Sequence, residues 1–294
     1  MWAELQHKIQ KADAKALGRT ISLVENRAEG YLHFLQQLPA SNTPVIGITG
    51  PPGAGKSTLL DGLIEAIVQE NKKVGVLCVD PSSPFNLGAL LGDRIRMSEW
   101  YNHPNVFIRS LASRGSLGGL HPMIMEIADI LKFAGFDYII IETVGVGQSE
   151  IEIAGLADVT VVVTIPESGD EIQTMKAGLM EIADVFVVNK ADRPDADMFV
   201  RNLRLMLAPA FHNKQHEIEI IKTIASQKTG IHELYQAIKK TQSTTNEKKN
   251  WLLAEKAWHL IQQHKMNGIS KQELKSEIEK MKHFNLYSFV EKYY

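Results

Sequence analysis

The run Gly50-Pro51-Pro52-Gly53-Ala54-Gly55-Lys56-Ser57-Thr58 is the stretch best equipped for chemistry. Gly50, Gly55, Lys56 and Ser57 fit the spacing G-x-x-x-x-G-K-[ST]. Glycines at those places let backbone N–H groups converge on phosphate oxygens, and a following helix start adds partial positive charge. The Lys56 ammonium can reach β- and γ-phosphates, and the Ser57 hydroxyl is a small, hard ligand for Mg²⁺. The plain alternative is a Gly/Pro turn between strand and helix. The flanks favour the phosphate loop: residues 45–49 read as a buried strand, and Leu59, Leu60, Leu63 and Ile64 repeat at helical spacing.

Asn189-Lys190-Ala191-Asp192 follows a second apolar run at 185–188. It has the form N-K-x-D, a guanine-reading element. A carboxylate at Asp192 can accept from guanine N1–H and its 2-amino group, and adenine lacks that donor pair, so a buried acceptor would stay unpaired against it. Asn189 braces such a loop, and the Lys190 stem covers the base face. Thr223-Ile224-Ala225, with Ser226 next, stands where a backbone N–H would meet guanine O6.

Several acids stand at ends of apolar runs. Glu142-Thr143-Val144-Gly145 ends the strand-like run 138–141. Glu142 there would hold Mg²⁺ through water, and the Gly145 N–H would sense a γ-phosphate. Gln148 is a polar switch residue in the same loop. Asp80 ends the run 74–79, placed to orient water or help bind the metal, or simply to cap the turn that Pro81 begins. Asp93 is a second metal candidate, and Arg94, Arg96 and Arg114 are candidate charge stabilisers. Asp170, Gln173 and Lys176 follow the run 159–164; they either report nucleotide state to a neighbouring protein or only begin a helix.

The elements that must position these residues alternate. Strand-like runs fall at 45–49, 74–79, 106–109, 138–141, 159–164, 185–188 and 219–222. Helical patterns fall at 55–70, 120–134, 171–182, 196–207 and 231–240. Several strands are apolar throughout, as expected when helices cover both faces of a sheet. The fold class expected is α/β: a doubly wound, mostly parallel sheet with ligand at the carboxyl ends of its strands. Residues 1–42 read as a helical extension on the domain 43–240. Beyond the polar run 241–247, residues up to 294 read as a helical extension, with a capping box at Ser270 and Glu273. Trp251, Ala254, Trp258 and Ile261 share one face there, for the chain's own core or, by preference, for a dimer arm.

The 294 residues carry a net charge of −2, too weak a field to draw the chain to nucleic acid or an anionic membrane. One cysteine, Cys78, allows no internal disulfide. With no secretory pattern and no membrane-length apolar run, a reducing, cytoplasmic setting is expected.

Taken together, 50–57, Val-Asp-Pro-Ser-Ser at 79–83, Leu-Gly-Asp-Arg-Ile-Arg-Met at 91–97, Ser-Arg-Gly-Ser-Leu-Gly-Gly-Leu at 113–120, Glu-Thr-Val-Gly-Val-Gly-Gln-Ser-Glu at 142–150 and Asn-Lys-Ala-Asp at 189–192 resemble the MeaB/ArgK-type G proteins. These are GTPase chaperones of adenosylcobalamin-dependent methylmalonyl-CoA mutase. The resemblance runs from Ala16-Leu17-Gly18-Arg19 to about Gly230. It implies a SIMIBI-class fold, GTP/GDP and Mg²⁺ as ligands, and homodimerisation through helical extensions. It also implies protection and reactivation of a mutase by gated cofactor loading, with the segment around 170–176 as an extra switch. The family usually has Thr-Ser-Ala where this chain has Thr223-Ile224-Ala225, so any help from that serine hydroxyl is absent. Two other readings stand beside it. A metallochaperone GTPase would want a His- or Cys-rich metal site, and the ten histidines here are scattered. A P-loop kinase would need a phosphoacceptor pocket and has no use for Asn189-Lys190-Ala191-Asp192.

Overall fold

Residues 45–49 are β-branched except for one glycine, and they form the central strand of the sheet. The computed structural model describes residues 1–80, 97–113, 120–143, 149–166, 180, 182–211, 218–241, 254, 257–258, 260–262, 265–266, 269–281 and 285–293. The element order is α1 (Trp2–Gln10), α2 (Ala14–Glu25), α3 (Tyr31–Gln36), β1 (Val45–Thr49), α4 (Lys56–Gln69), β2 (Val74–Asp80), β3 (Val106–Ala112), α5 (Ile124–Phe133), β4 (Tyr138–Glu142), α6 (Ser149–Leu156), β5 (Val159–Thr164), β6 (Val185–Val188), α7 (Ala196–Phe211), β7 (Glu219–Lys222), α8 (Ile231–Thr241), α9 (Lys271–Glu279) and α10 (Leu286–Glu291). Seven strands lie in the order β3-β2-β4-β1-β5-β6-β7. Every pairing is parallel. This is the α/β architecture expected from the alternation of strand and helix signals.

β2, β3 and β4 run past their sequence-based ends, to Asp80, Ala112 and Glu142. The added residues include acids that an apolar pattern assigns to loops. Parallel pairing carries them on: Asp80 registers with Ala112, and Glu142 with Ile48 and Cys78. The sheet thereby delivers its acids at strand ends rather than in free loops.

The two faces bury different helices. Ile46, Ile48 and Ile140 pack with Leu59, Leu63, Leu234 and Ile238 of α4 and α8. Val45, Ile139 and Ile141 pack on the other face with Ile127 and Leu131 of α5, and with Leu5, Leu17, Ile21 and Phe34 of the N-terminal helices. The 1–42 segment therefore shares a core with the sheet. A third cluster joins Val162, Phe186 and Val188 to Phe199 and Leu203 of α7.

Acids close the amino ends of the strands. Asp137, Asp158 and Asp184 each precede a strand, and their carboxylates accept from the N–H groups of Lys73, Val45 and Thr160 at 2.8 Å. Buried N–H groups at that edge are thereby satisfied without water.

The chain divides into two compact units, Met1–Lys249 and Asn250–Tyr294. In the second, Ser270 and Glu273 form the expected capping box of α9. Asn285 caps α10, whose Phe289 is buried. Trp258 and Ile261 are exposed on the single chain; Trp251 lies outside the described residues. Among the described residues no helix is long and apolar enough to cross a membrane.

One ionic cluster joins the N-terminal helices to the sheet. Glu25 of α2 lies 3.2 Å from the Arg109 guanidinium of β3 and 3.5 Å from His121 Nε2, and His121 is 1% exposed. His121 Nδ1 accepts from Met123 N, which leaves Nε2 to carry the proton facing Glu25. The Glu25 carboxyl is held down to about 2, first by the His121 imidazole and then by Arg109, with burial pushing the other way. At 3.5 Å the imidazole contact is at the outer limit of a hydrogen bond, so Arg109 is the firmer partner. A depressed carboxyl adds stability above its unfolded value of 4.5 and loses it as pH falls toward about 2. Glu25→Gln should accordingly lower the urea midpoint at pH 7 and narrow its gap to native protein at pH 3. An equal gap at both pH values would contradict this.

Candidate functional site

Most of the buried polar residues lie at one edge. Thr49, Asp80, Glu142, Thr164 and Asn189 stand at the carboxyl ends of β1, β2, β4, β5 and β6, with Thr143 and Thr223 one residue past β4 and β7; all are at most 6% exposed. Buried polar groups are kept where they have partners or a ligand to meet. In an open parallel sheet, this edge is where ligands bind.

The phosphate loop is built by close approach. Gly50 has φ +140°, and a Cβ there would lie 2.0 Å from Val163 O, so β5 lies directly against the loop. Gly55 has φ +89°, and a Cβ there would lie 2.3 Å from Asn189 Nδ2. Neither place tolerates a side chain, for reasons of both space and backbone. Lys56, 6% exposed, folds over the loop and donates from Nζ to Gly50 O at 2.8 Å and Pro51 O at 3.0 Å. Ser57 Oγ donates to Glu142 Oε1 at 2.8 Å, so hydroxyl and carboxylate share one small volume across β4 and α4. Asp80, 6% exposed, ends β2, the neighbour of β4. A serine hydroxyl with two carboxylates is an all-oxygen, hard donor set, which fits Mg²⁺ completed by phosphate oxygens and water.

Asn189 ties three loops together. Its Nδ2 donates to Ala54 O of the phosphate loop at 2.8 Å. Its Oδ1 accepts from Thr223 Oγ1 and from Ala225 N, each at 3.0 Å. Lys190, at φ +55°, lays its stem back so that Nζ reaches Gly53 O at 2.8 Å. Ala191 N donates to Thr223 O at 3.0 Å. Phosphate loop, N-K-x-D run and last loop are therefore one hydrogen-bonded body.

The structure thus brings together Gly50, Pro51, Gly53, Ala54, Gly55, Lys56, Ser57, Glu142, Asn189, Lys190 and Ala225 by direct contacts. Pro52, Gly53, Asp192 and Ser226 are exposed and Thr58 is half-buried. Asp192, read from the sequence as the acceptor for a guanine base, is an exposed residue of the chain. Two of the three N–H groups read as facing a base close the loop: Ile224 N donates to Thr229 O at 3.1 Å, and Ala225 N to Asn189. Asp93, Gly145, Gln148, Asp170, Gln173 and Lys176, with Arg94, Arg96 and Arg114, lie outside the described residues. Thr49 and Thr164 were missed. The signal available was a threonine closing each of several apolar strands.

Among the described residues no three His, Cys, Asp or Glu side chains gather closely enough to hold a metal ion by themselves.

A sequence profile described as methylmalonyl-CoA mutase-associated GTPase MeaB matches residues 17–280. The chain belongs to the MeaB family. A putative GTPase of Pyrococcus abyssi is 48% identical over 244 residues, 80% of this chain and 74% of that protein. GTPase ArgK of Escherichia coli K12 is 37% identical over 247 residues, 80% of this chain and 74% of that protein. A fused isobutyryl-CoA mutase of Geobacillus kaustophilus is 36% identical over 276 residues, 87% of this chain and 25% of that protein. A crystal structure named LAO/AO transport system kinase superposes with a TM-score of 0.68 at 26% identity, covering 99% of this chain and 96% of that one. The chain is accordingly a P-loop NTPase of a GTPase family, as its resemblance implied.

For this MeaB-family site, Gly55 is the most exacting position. Gly55→Ala should push Asn189 Nδ2 off Ala54 O and weaken GDP binding by about tenfold or more, as the phosphate-loop backbone is strained and displaced. Calorimetric titration reads it; native affinity in Gly55→Ala would contradict the tie.

Proposed function

We propose that the protein hydrolyses GTP with Mg²⁺ and spends that cycle on an adenosylcobalamin-dependent acyl-CoA mutase of the methylmalonyl-CoA mutase type, protecting and reactivating it by gating cofactor loading. The observation that carries the partner is the Geobacillus relative: a stretch similar to this chain is about a quarter of a protein named as a fused isobutyryl-CoA mutase. A homologous module joined to a mutase in one polypeptide suits a separate module that meets a mutase in solution. A cytoplasmic setting goes with a single, buried cysteine, Cys78. Homodimerisation through the C-terminal helices goes with the exposed Trp258 and Ile261.

In this reading the backbone N–H groups of 50–58 surround the phosphates, and Lys56 swings from the loop carbonyls to the β- and γ-oxygens. Ser57 and Glu142 hold the metal, joined by Asp80 or Asp93. When bound, Mg²⁺ neutralises charge on the phosphate oxygens. Asp80, Gln148 and the Gly145 N–H orient the attacking water and sense the γ-phosphate. Asp192 accepts from guanine N1–H and its 2-amino group, the Lys190 stem covers the base, and Ser226 N–H takes the place beside O6 that Ile224 and Ala225 fill only with their backbone turn. Asp170, Gln173 and Lys176 read the partner.

The test is GTP turnover with and without the cognate mutase, alongside capture of cobalamin-dependent mutases with a non-hydrolysable GTP analogue. Stimulation by the mutase should collapse in Gln173→Ala and Lys176→Ala while basal turnover changes little. Equal stimulation of native and variant protein would reduce that segment to a helix start. Asp192→Asn exchanges an acceptor for a donor toward the base 2-position and should shift preference from GDP to xanthosine diphosphate by about tenfold or more; an unchanged preference would remove Asp192 from the base site. The kinase named in the structural comparison supports a second reading, transfer of the γ-phosphoryl group to an acceptor. Release of all the phosphate to water decides against it.

A further inference from the structure

Side chains along β4 alternate between two cores. Ile140 joins the α4–α8 side, and Ile139 and Ile141 join the opposite side. Glu142 therefore lies on the α4 side, where Ser57 Oγ meets it at 2.8 Å, and Thr143 turns to the other side. β1 alternates the same way: Ile46 and Ile48 face α4, and Val45 faces away. Thr49 thus falls on the Thr143 side. The two Oγ1 atoms are 2.9 Å apart, and the residues are 0% and 2% exposed. Thr143 N also donates to Ile48 O at 3.0 Å. The end of β4 is held on both faces of the sheet, by Ser57 on one and by Thr49 on the other.

Thr164 supplies the contrast. It ends β5, beside β1, and is 0% exposed, and its Oγ1 has no hydrogen-bond partner among the described residues. Burial at this edge does not by itself pair a threonine hydroxyl, so the Thr49–Thr143 pair is a specific arrangement.

We propose that Thr49 is a positioning residue for the metal-binding carboxylate. Acting through Thr143, it fixes the backbone from which Glu142 reaches the Mg²⁺ side of the site. Neither threonine hydroxyl touches that side; the effect passes through the peptide between Glu142 and Thr143. Partners that orient a ligating carboxylate commonly set metal affinity. The inference rests on the reading of Glu142 and Ser57 as metal ligands given above.

The experiment follows GDP release from the full-length protein as Mg²⁺ is titrated, using a fluorescent GDP analogue and no turnover. Thr49→Val keeps the shape and removes the hydroxyl. It should raise the half-saturating Mg²⁺ concentration about three- to tenfold, the loss expected when one supporting partner goes. Nucleotide affinity in excess chelator should stay native. Thr49→Ser should restore the Mg²⁺ midpoint. Thr49→Val also leaves Thr143 Oγ1 unpaired, so its melting temperature falls for a separate reason. The double variant Thr49→Val/Thr143→Val removes that orphan: its stability should recover while its Mg²⁺ midpoint stays raised.

Glu142→Gln tests the metal reading independently, since it should blunt the Mg²⁺ effect whatever Thr49 does. A native midpoint in Thr49→Val, with Glu142→Gln altered, would overturn the positioning role alone. So would a double variant whose midpoint returns together with its stability. A native midpoint in Glu142→Gln would overturn the metal reading and the inference built on it.

Discussion

The side-chain amide of Asn189 is the contact on which the nucleotide edge depends. An amide offers two donors and one accepting oxygen with two lone pairs. Here the oxygen takes Thr223 Oγ1 and Ala225 N, and the nitrogen gives to Ala54 O. Three segments far apart in sequence meet on one group that is 2% exposed. The amide supplies the two functions on separate atoms, so it can face both loops at once. An aspartate there would lose the donor and bury a charge, and a leucine would orphan several polar groups at once, each costing about 1–3 kcal/mol. Gly55 is fixed by the same contact, because a Cβ would occupy the place of the Asn189 nitrogen. The glycine in the phosphate loop and the asparagine in the N-K-x-D run are thus one constraint seen from two places.

The sheet supplies the frame for that constraint through its polarity. At the amino ends of the strands, Asp137, Asp158 and Asp184 accept N–H groups of neighbouring strands, and the edge is closed. At the carboxyl ends, buried acids and hydroxyls gather along one edge instead. Apolar residues between them pack on both faces, so the strands cannot shift register without exposing a whole set of core side chains. The N-terminal helices add to the face opposite α4, and the Glu25–Arg109–His121 cluster fastens them to β3 and to the start of α5. The helix that follows the phosphate loop, on one side of the sheet, is therefore backed by a buried core on the other.

Much of this was legible in the residues. The phosphate loop, the N-K-x-D run and the strand positions carry local signals: glycines with required backbone angles, a fixed motif spacing, and unbroken β-branched runs. Their joint presence also carried the family. The rest depends on register between strands remote in sequence. Thr49 and Thr143 look like ordinary strand ends until β1 and β4 are laid side by side. Strand ends at Asp80 and Glu142 were set too short because polarity marks loops in a pattern, while pairing with Ala112, Cys78 and Ile48 continues the strand. The last loop differed most: Ile224 and Ala225 spend their N–H groups on Thr229 and Asn189, a use that no local pattern announces.

The central claim is that one sheet edge, held by Asn189, reads a guanine nucleotide. The most direct measurement is calorimetric binding of GDP and of ADP to the native protein in excess Mg²⁺. A carboxylate that finds its donor pair in one base and not in the other should favour GDP by about a hundredfold or more. Equal affinities for GDP and ADP would contradict the account.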